Sequence, residues 1–187
     1  MINVAVKQGW AGGKWHTRQF EAALRAAGYN LTDELNADVV IAHSVACYDL
    51  KLKSPATYFI LIDPPYWPKK HIAIRFFEKT RQDITTLKRA YGWKYTAKKI
   101  LWGLVYVAAK PQYTVLALKR SDDLTFLDEL KGKNILVIRN KQDSICSADI
   151  KVAMAAYPDF YYYELPGQHD DYYTNPKPYI DLLPTTL

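Results

Sequence analysis

The stretch Asp38-Val39-Val40-Ile41-Ala42-His43-Ser44-Val45-Ala46-Cys47 decides the fold that the sequence predicts. Three branched apolar residues in succession, 39–41, are typical of a strand that is buried on both faces. Strands of this kind belong to parallel sheets that are covered by helices on each side. The segment therefore predicts a central strand that ends at Ser44.

The residues around Ser44 indicate an unusually sharp turn. Ala42 and Ala46 stand two positions before and two positions after the serine. A nucleophile elbow has this pattern, with glycine usual at both flanking positions because larger side chains would strike the neighbouring backbone. The same string also occurs by chance, and Ser44 could equally be the N-cap of a helix behind it. The turn indicates a nucleophile only together with residues further along the chain.

Composition and length predict one cytoplasmic domain spanning residues 1–187. Hydrophobic residues make up 49% of the chain and charged residues 24%, as in soluble globular proteins. Residues 2–6 read as a strand with no signal peptide before it, and the apolar run 100–109 is too short to cross a bilayer. Two distant cysteines, Cys47 and Cys146, argue against a disulfide framework and fit a reducing compartment.

Strand-like and helix-like segments alternate along most of the chain. The patterns predict strands over 2–7, 38–43, 57–62, 134–139 and 160–165, and helices over 15–27, 45–52, 121–130, 147–156 and 179–183. Residues 29–31 read as a short additional strand. This alternation predicts an α/β fold with a mostly parallel sheet and helices on both faces.

A basic segment interrupts the alternation. The range from Lys69 to Arg120 contains 13 lysines and arginines but only two acids, so its charge is near +11 in a chain of net charge +6. Its best helical stripe is formed by Ala97, Ile100, Leu101, Leu104, Val105 and Ala108. We expect a helical cap insertion at about 66–120 whose apolar face covers the site. Contact with an anionic membrane or an anionic substrate is a second interpretation, and we expect no nucleic-acid partner.

The last third of the chain carries a specific resemblance. A buried strand leads to a loop ending at Asp143, then a helix, the segment YPDFYYYELPGQH at 157–169 and a closing helix. This succession resembles the C-terminal third of an α/β-hydrolase, and the chain order Ser44, Asp143, His169 is the order that this family uses. The resemblance extends over most of the chain except the basic segment, which lies where hydrolase caps are inserted.

The resemblance implies a catalytic triad. Ser44 matches the nucleophile, His169 the general base and Asp143 the acid that orients the imidazole. Asp63 is a rival for the acid, because it ends the strand that follows the serine. His43 is expected to pack beside the elbow without a catalytic role.

The resemblance also implies an oxyanion hole. The N–H of Val45 would supply one donor, and Trp10 or Ala11, in the glycine-rich loop after the first strand, would supply the other. Two features depart from the family. Alanines replace the elbow glycines, and only one clear strand precedes the nucleophile strand.

These observations leave two functions open. The first is a serine hydrolase that cleaves a carboxylic ester of a small molecule or acyl substrate, with an amide as the lesser alternative. The second is a degenerate hydrolase fold that acts as a non-catalytic binding or scaffold protein, including at anionic surfaces. We expect no cofactor and no metal, because no cluster of His, Cys, Asp and Glu has metal-ligand spacing and no phosphate-binding glycine motif is present.

Overall fold

A computed structural model describes residues 1–9, 14–50, 54–67, 72–109, 111–121, 124–143 and 145–186. The strands in these ranges are β1 (Asn3–Lys7), β2 (Asn30–Leu31), β3 (Val39–His43), β4 (Tyr58–Ile62), β5 (Asn134–Asn140) and β6 (Tyr161–Leu165). The α-helices are α1 (Lys14–Ala26), α2 (Ile72–Ala109), α3 (Pro111–Arg120), α4 (Ile150–Ala153), α5 (Asp171–Thr174) and α6 (Lys177–Ile180).

The strands form one parallel sheet in the order β2-β1-β3-β4-β5-β6, so the predicted α/β fold is confirmed. All five residues of β3 are buried, as its run of branched apolar residues predicts. In the register, His43 lies opposite Ile62, and Ile62 lies opposite Ile138. The carboxyl ends of β3, β4 and β5 therefore meet at one edge of the sheet, where open α/β sheets bind their ligands.

Two apolar cores lie on opposite faces of the sheet. On one face, Phe20 and Leu24 of α1 pack with Tyr172 and Tyr179 from the last helices of the chain. On the other face, the side chains of β3 and β4 pack against residues after α3 and around α4, with Leu127 fully buried. Successive residues of a strand point to opposite faces, so each helix layer covers alternate residues of the same strands.

The short helices differ from their predicted bounds. The helix expected over 45–52 is a 3₁₀ helix, Ser44–Tyr48, and the helix expected over 121–130 is a 3₁₀ helix, Thr125–Leu130. Ser121 directly follows α3, so it does not cap a new helix as expected. Turns this short are stabilised by packing more than by their own hydrogen bonds, so the local pattern left their type open.

In the basic segment the structure describes α2, which is interrupted at Gly92 (φ 79°, ψ 172°), followed by α3. The stripe that was expected to cover the site faces solvent, since Leu101 is 62% exposed and Leu104 64% exposed. The buried side of α2 instead contains Thr96. That the segment acts as a cap stays a prediction. None of the described helices combines the length and the apolar character needed to cross a membrane.

Candidate active site

Ser44 occupies a strained turn at the end of β3. His43 is still extended (φ −114°, ψ 138°), whereas Ser44 has φ 56°, in the left-handed region that residues with a side chain seldom adopt. Strain of this kind persists only where the surrounding structure fixes it, and it is common at functional sites. Ala42 and Ala46 are both buried in the core, so the fold accommodates alanine at the two positions where glycine is usual.

The loop after β1 touches this turn at Gly9. A Cβ atom placed on Gly9 would lie 2.6 Å from the carbonyl oxygen of His43 and 2.6 Å from Cβ of Ser44. Only glycine fits such an approach. The glycine-rich sequence after β1 indicated tight turns. It did not indicate the contact between Gly9 and the Ser44 turn, because no local pattern reveals such a contact. Trp10 and Ala11, the expected oxyanion-hole residues of this loop, lie outside the described residues, so their role stays a prediction.

His169 and Asp143 are in direct contact. Nδ1 of His169 lies 2.8 Å from Oδ2 of Asp143, whose other oxygen accepts a hydrogen bond of 2.6 Å from the backbone N–H of Ile145. The Asp143 side chain is fully buried. An imidazole that donates from Nδ1 to a carboxylate carries its lone pair on Nε2, which is the form that a general base needs.

Asp63, the rival acid, has a different environment. The residue has φ 48° and is completely buried. Its Oδ1 accepts a hydrogen bond of 2.7 Å from the N–H of Asn140, and its Oδ2 accepts one of 2.5 Å from Nδ2 of the same residue. Burial raises the pKa of Asp63 well above its usual range, and the negative charge of Asp143 raises it further. The imidazole of His169 therefore pairs with Asp143, while Asp63 is bound by Asn140.

His43 connects the elbow to the loop of His169. Its Nε2 lies 2.8 Å from the backbone carbonyl oxygen of His169, and the two rings are 4.5 Å apart between centroids. Complete burial, followed by the charges of His169 and Lys99, lowers the pKa of His43 well below its usual range. The imidazole is therefore neutral and donates its Nε2–H to the carbonyl. The residue immediately before Ser44 thus fixes the backbone of His169, a role that the sequence did not indicate.

Asp170, next to His169, joins the site to α2. Its fully buried carboxylate forms an ion pair with Lys99, and the hydroxyl of Tyr95 lies 3.5 Å from the same oxygen. Burial alone would raise the pKa of Asp170, but the positive charge of Lys99, the two neighbouring histidines and the hydrogen bond from Lys99 together hold that pKa below its ordinary range. The basic segment is therefore tied to the loop that carries His169.

Two groups of side chains bring three potential metal-ligand atoms within 4.8 Å of one another: His43, His169 and Asp170, and Asp63, Asp143 and His169. Sequence spacing could not find them, because their members come from separate strand ends. Within these groups Asp143 bonds to His169 and Asp170 pairs with Lys99. The Asp170 carboxylate is thus already neutralised by Lys99.

No protein-family model matches the chain, and no curated protein matches it in sequence. Solved structures match over almost its full length. A hydrolase from Oleispira antarctica has a TM-score of 0.68 at 10% identity, covering 98% of this chain and 92% of that one. A structure from a study of carboxylesterases of Nitrososphaera gargenis has a TM-score of 0.64 at 14% identity, covering 97% and 88%. A thermophilic esterase from Thermogutta terrifontis has a TM-score of 0.61 at 14% identity, covering 97% and 87%. The chain therefore has the fold of the α/β-hydrolase superfamily.

Proposed function

We propose that the protein is a serine hydrolase that cleaves a carboxylic ester through an acyl-enzyme on Ser44. The observation that carries this proposal is the 2.8 Å contact between Nδ1 of His169 and the buried carboxylate of Asp143. The contact orients a basic Nε2 in a loop that His43, the neighbour of Ser44, holds in place. Ser44 itself has the left-handed backbone of a nucleophile elbow.

The arrangement defines a two-step reaction. Oγ of Ser44 attacks the ester carbonyl while Nε2 of His169 takes the hydroxyl proton, and the imidazolium then gives that proton to the departing alcohol. In the second step, water attacks the acyl-serine with the same imidazole as base, which releases the carboxylic acid and restores the serine. Asp143 keeps the productive tautomer and stabilises the imidazolium. The N–H of Val45 and the loop after β1 would stabilise the oxyanion.

The proposed substrate class is supported by the structural neighbours and by the chemistry of the proposed triad. The similar solved structures include one from a study of carboxylesterases and one of a thermophilic esterase, which supports an ester substrate in preference to an amide. We propose a small-molecule ester or acyl substrate. The proposed reaction needs no cofactor.

A non-catalytic binding or scaffold function is the second candidate. Two observations favour it. Ala42 and Ala46 stand where elbow glycines are usual, and Ser44 is only 2% exposed. A protein of this kind would keep the fold and the Asp143–His169 contact but would not acylate its serine.

Labelling by a fluorophosphonate probe separates the two candidates. We expect the wild-type protein to be labelled and to hydrolyse p-nitrophenyl butyrate, and Ser44→Ala to lose both properties by several orders of magnitude while remaining folded. Ser147→Ala, which removes a hydroxyl whose described hydrogen bonds are both to nearby Asp149, is the matched control and should behave as wild type. Unlabelled wild-type protein without turnover would favour the scaffold, whereas equal turnover in Ser44→Ala would remove Ser44 from the mechanism.

A further inference from the structure

Two carboxyl groups, not one, stand beside His169. Asp63 follows β4 and Asp143 lies in the loop after the neighbouring strand β5. One oxygen of each and a ring nitrogen of His169 lie within 4.8 Å of one another. Both carboxyl groups are buried, at 0% and 6% residue exposure. Like charges this close in a buried site disfavour each other, so one of the two groups holds its proton.

The surroundings of the two carboxyl groups differ. Asp143 accepts from the N–H of Ile145 and pairs with the imidazole of His169, which becomes positive during the proposed reaction. Among the described residues Asp63 accepts from Asn140, whose side chain is oriented by a 2.7 Å hydrogen bond from the hydroxyl of Tyr179. Burial and then the charge of Asp143 raise the pKa of Asp63, and together they outweigh the two hydrogen bonds from Asn140, which favour the ionised form.

We propose that Asp63 is a positioning residue that donates its carboxyl proton to Asp143 in a hydrogen bond and becomes the orienting acid when Asp143 is neutralised. The proposal rests on the proposed function. The two aspartates then have different roles. Asp143 holds the imidazole, and the protonated Asp63 holds Asp143 in place.

Four variants test the proposal by kcat for a p-nitrophenyl ester. Asp63→Ala should lower kcat about tenfold, and Asp63→Asn should recover most of that loss, because an amide N–H can still donate to Asp143. Asp143→Asn should retain residual activity that rises with pH as Asp63 ionises. The double variant Asp63→Asn, Asp143→Asn should lack this alkaline rise and fall at least another tenfold.

Equal kcat for Asp63→Ala and Asp63→Asn, or an unchanged pH profile on adding Asp63→Asn to Asp143→Asn, would overturn the proposal. Circular dichroism of each variant identifies any that fails to fold, and the pH profile of Asp143→Asn then decides alone. Failure of the proposed function itself gives a different result, because Ser44→Ala would then turn over as fast as wild type.

A second inference comes from the outer face of α2. Trp93, Ala97, Leu101, Leu104 and Ala108 recur at intervals of three and four residues, and all five are exposed. At 1.5 Å per residue they form an apolar line about 22 Å long. Leu101 and Leu104 lie on the side of the helix opposite Lys99, which pairs with Asp170. The helix therefore presents an apolar face outward while its inner face contacts the site.

The charge around this outer face indicates what kind of surface binds to it. The segment from Lys69 to Arg120 carries a charge near +11, and Lys94 is exposed beside the apolar line. A two-fold pair of this chain would bring the exposed basic side chains of α2 against each other, which is unfavourable. We infer that the outer face of α2 docks on an anionic lipid surface, with its apolar side chains in the headgroup boundary and its basic side chains at the lipid phosphates.

Co-sedimentation with vesicles tests this inference independently of activity. Wild-type protein should sediment with phosphatidylglycerol/phosphatidylcholine vesicles at low salt, but not with phosphatidylcholine alone, and about 0.5 M salt should release much of it. Leu101→Gln with Leu104→Gln should weaken binding about tenfold or more, whereas Leu35→Gln, at a leucine 52% exposed elsewhere, should not. Equal binding to both vesicles or to neither, or a concentration-dependent dimer lost in the double variant, would overturn the inference.

Discussion

Nδ1 of His169 lies 2.8 Å from Oδ2 of Asp143. A carboxylate oxygen of a second buried aspartate, Asp63, also lies within 4.8 Å of a ring nitrogen of His169 and of a carboxylate oxygen of Asp143. Asn140 accounts for the choice, because its backbone and side chain both donate to Asp63. The loop after β5 thus supplies the partner of the imidazole, and the end of β4 supplies a carboxyl group that is bound elsewhere.

Gly9→Ala tests the contact between the first loop and the elbow. The new Cβ would meet the carbonyl of His43 and Cβ of Ser44 at 2.6 Å, so the turn must shift. We expect a loss of stability of about 1–3 kcal/mol and a drop in kcat of more than tenfold. Gly132→Ala is the control, since Gly132 has φ +84° but open space around it. It should lower the melting temperature without changing kcat, and equal kcat values for the two variants would contradict the prediction.

Lys99→Met tests the ion pair that joins α2 to the site. Removal of Lys99 leaves the fully buried Asp170 carboxylate without its main positive partner, so the free energy of unfolding should fall by about 3–5 kcal/mol. Adding Asp170→Asn should restore part of this loss because it removes the stranded charge. Urea unfolding measures both effects. Lys177→Met, which breaks an exposed ion pair with Asp181, should have little effect. Similar losses at the two lysines would count against a buried pair.

The pH dependence of stability tests the protonation of Asp63. The folded protein keeps this proton at pH values where the unfolded chain, with an ordinary pKa of about 4, has lost it. The stabilisation that comes from the raised pKa of Asp63 is complete below pH 4. It declines by up to about 1.4 kcal/mol per pH unit as the pH rises, until the pKa of Asp63 in the folded protein is passed. Asp63→Asn lacks this decline, so its stability relative to wild type should improve from pH 5 to 8 in urea titrations. A constant difference would mean that Asp63 is ionised.

Ser44→Gly tests the strain of the elbow. Glycine adopts the φ of 56° at Ser44 without steric cost, whereas alanine does not. We expect Ser44→Gly to be more stable than Ser44→Ala by about 0.5–1 kcal/mol, after allowing for the greater entropy of glycine in the unfolded chain. Both variants should be inactive. Thermal unfolding compares them, and a more stable alanine variant would speak against the strained turn.

Much of the fold could be predicted because its strands are buried on both faces. The run 39–41 and its counterparts 58–62 and 135–138 are continuous and apolar, and the structure places them side by side at the centre of the sheet. The contact between Asp143 and His169 was expected from chain order and loop position, and the structure has it. That these residues carry catalysis stays a prediction.

The remaining features depend on contacts between segments that are distant in the chain. Gly9 meets the elbow across 35 residues, and Lys99 reaches Asp170 across 71. No periodicity records such pairs. The outward face of α2 was misassigned for a related reason. An apolar stripe indicates a preference to leave water, but the pairing of Lys99 with Asp170 decides which side of the helix is turned inward.

The alignment of β4 and β5 has a consequence for how the sequence of this site can change. Because Ile62 and Ile138 are paired in register, the residues beyond them approach the same imidazole from neighbouring strands. A lineage that holds Asp63 and Asp143 together could lose either one by a single substitution and still possess an acid within reach of His169.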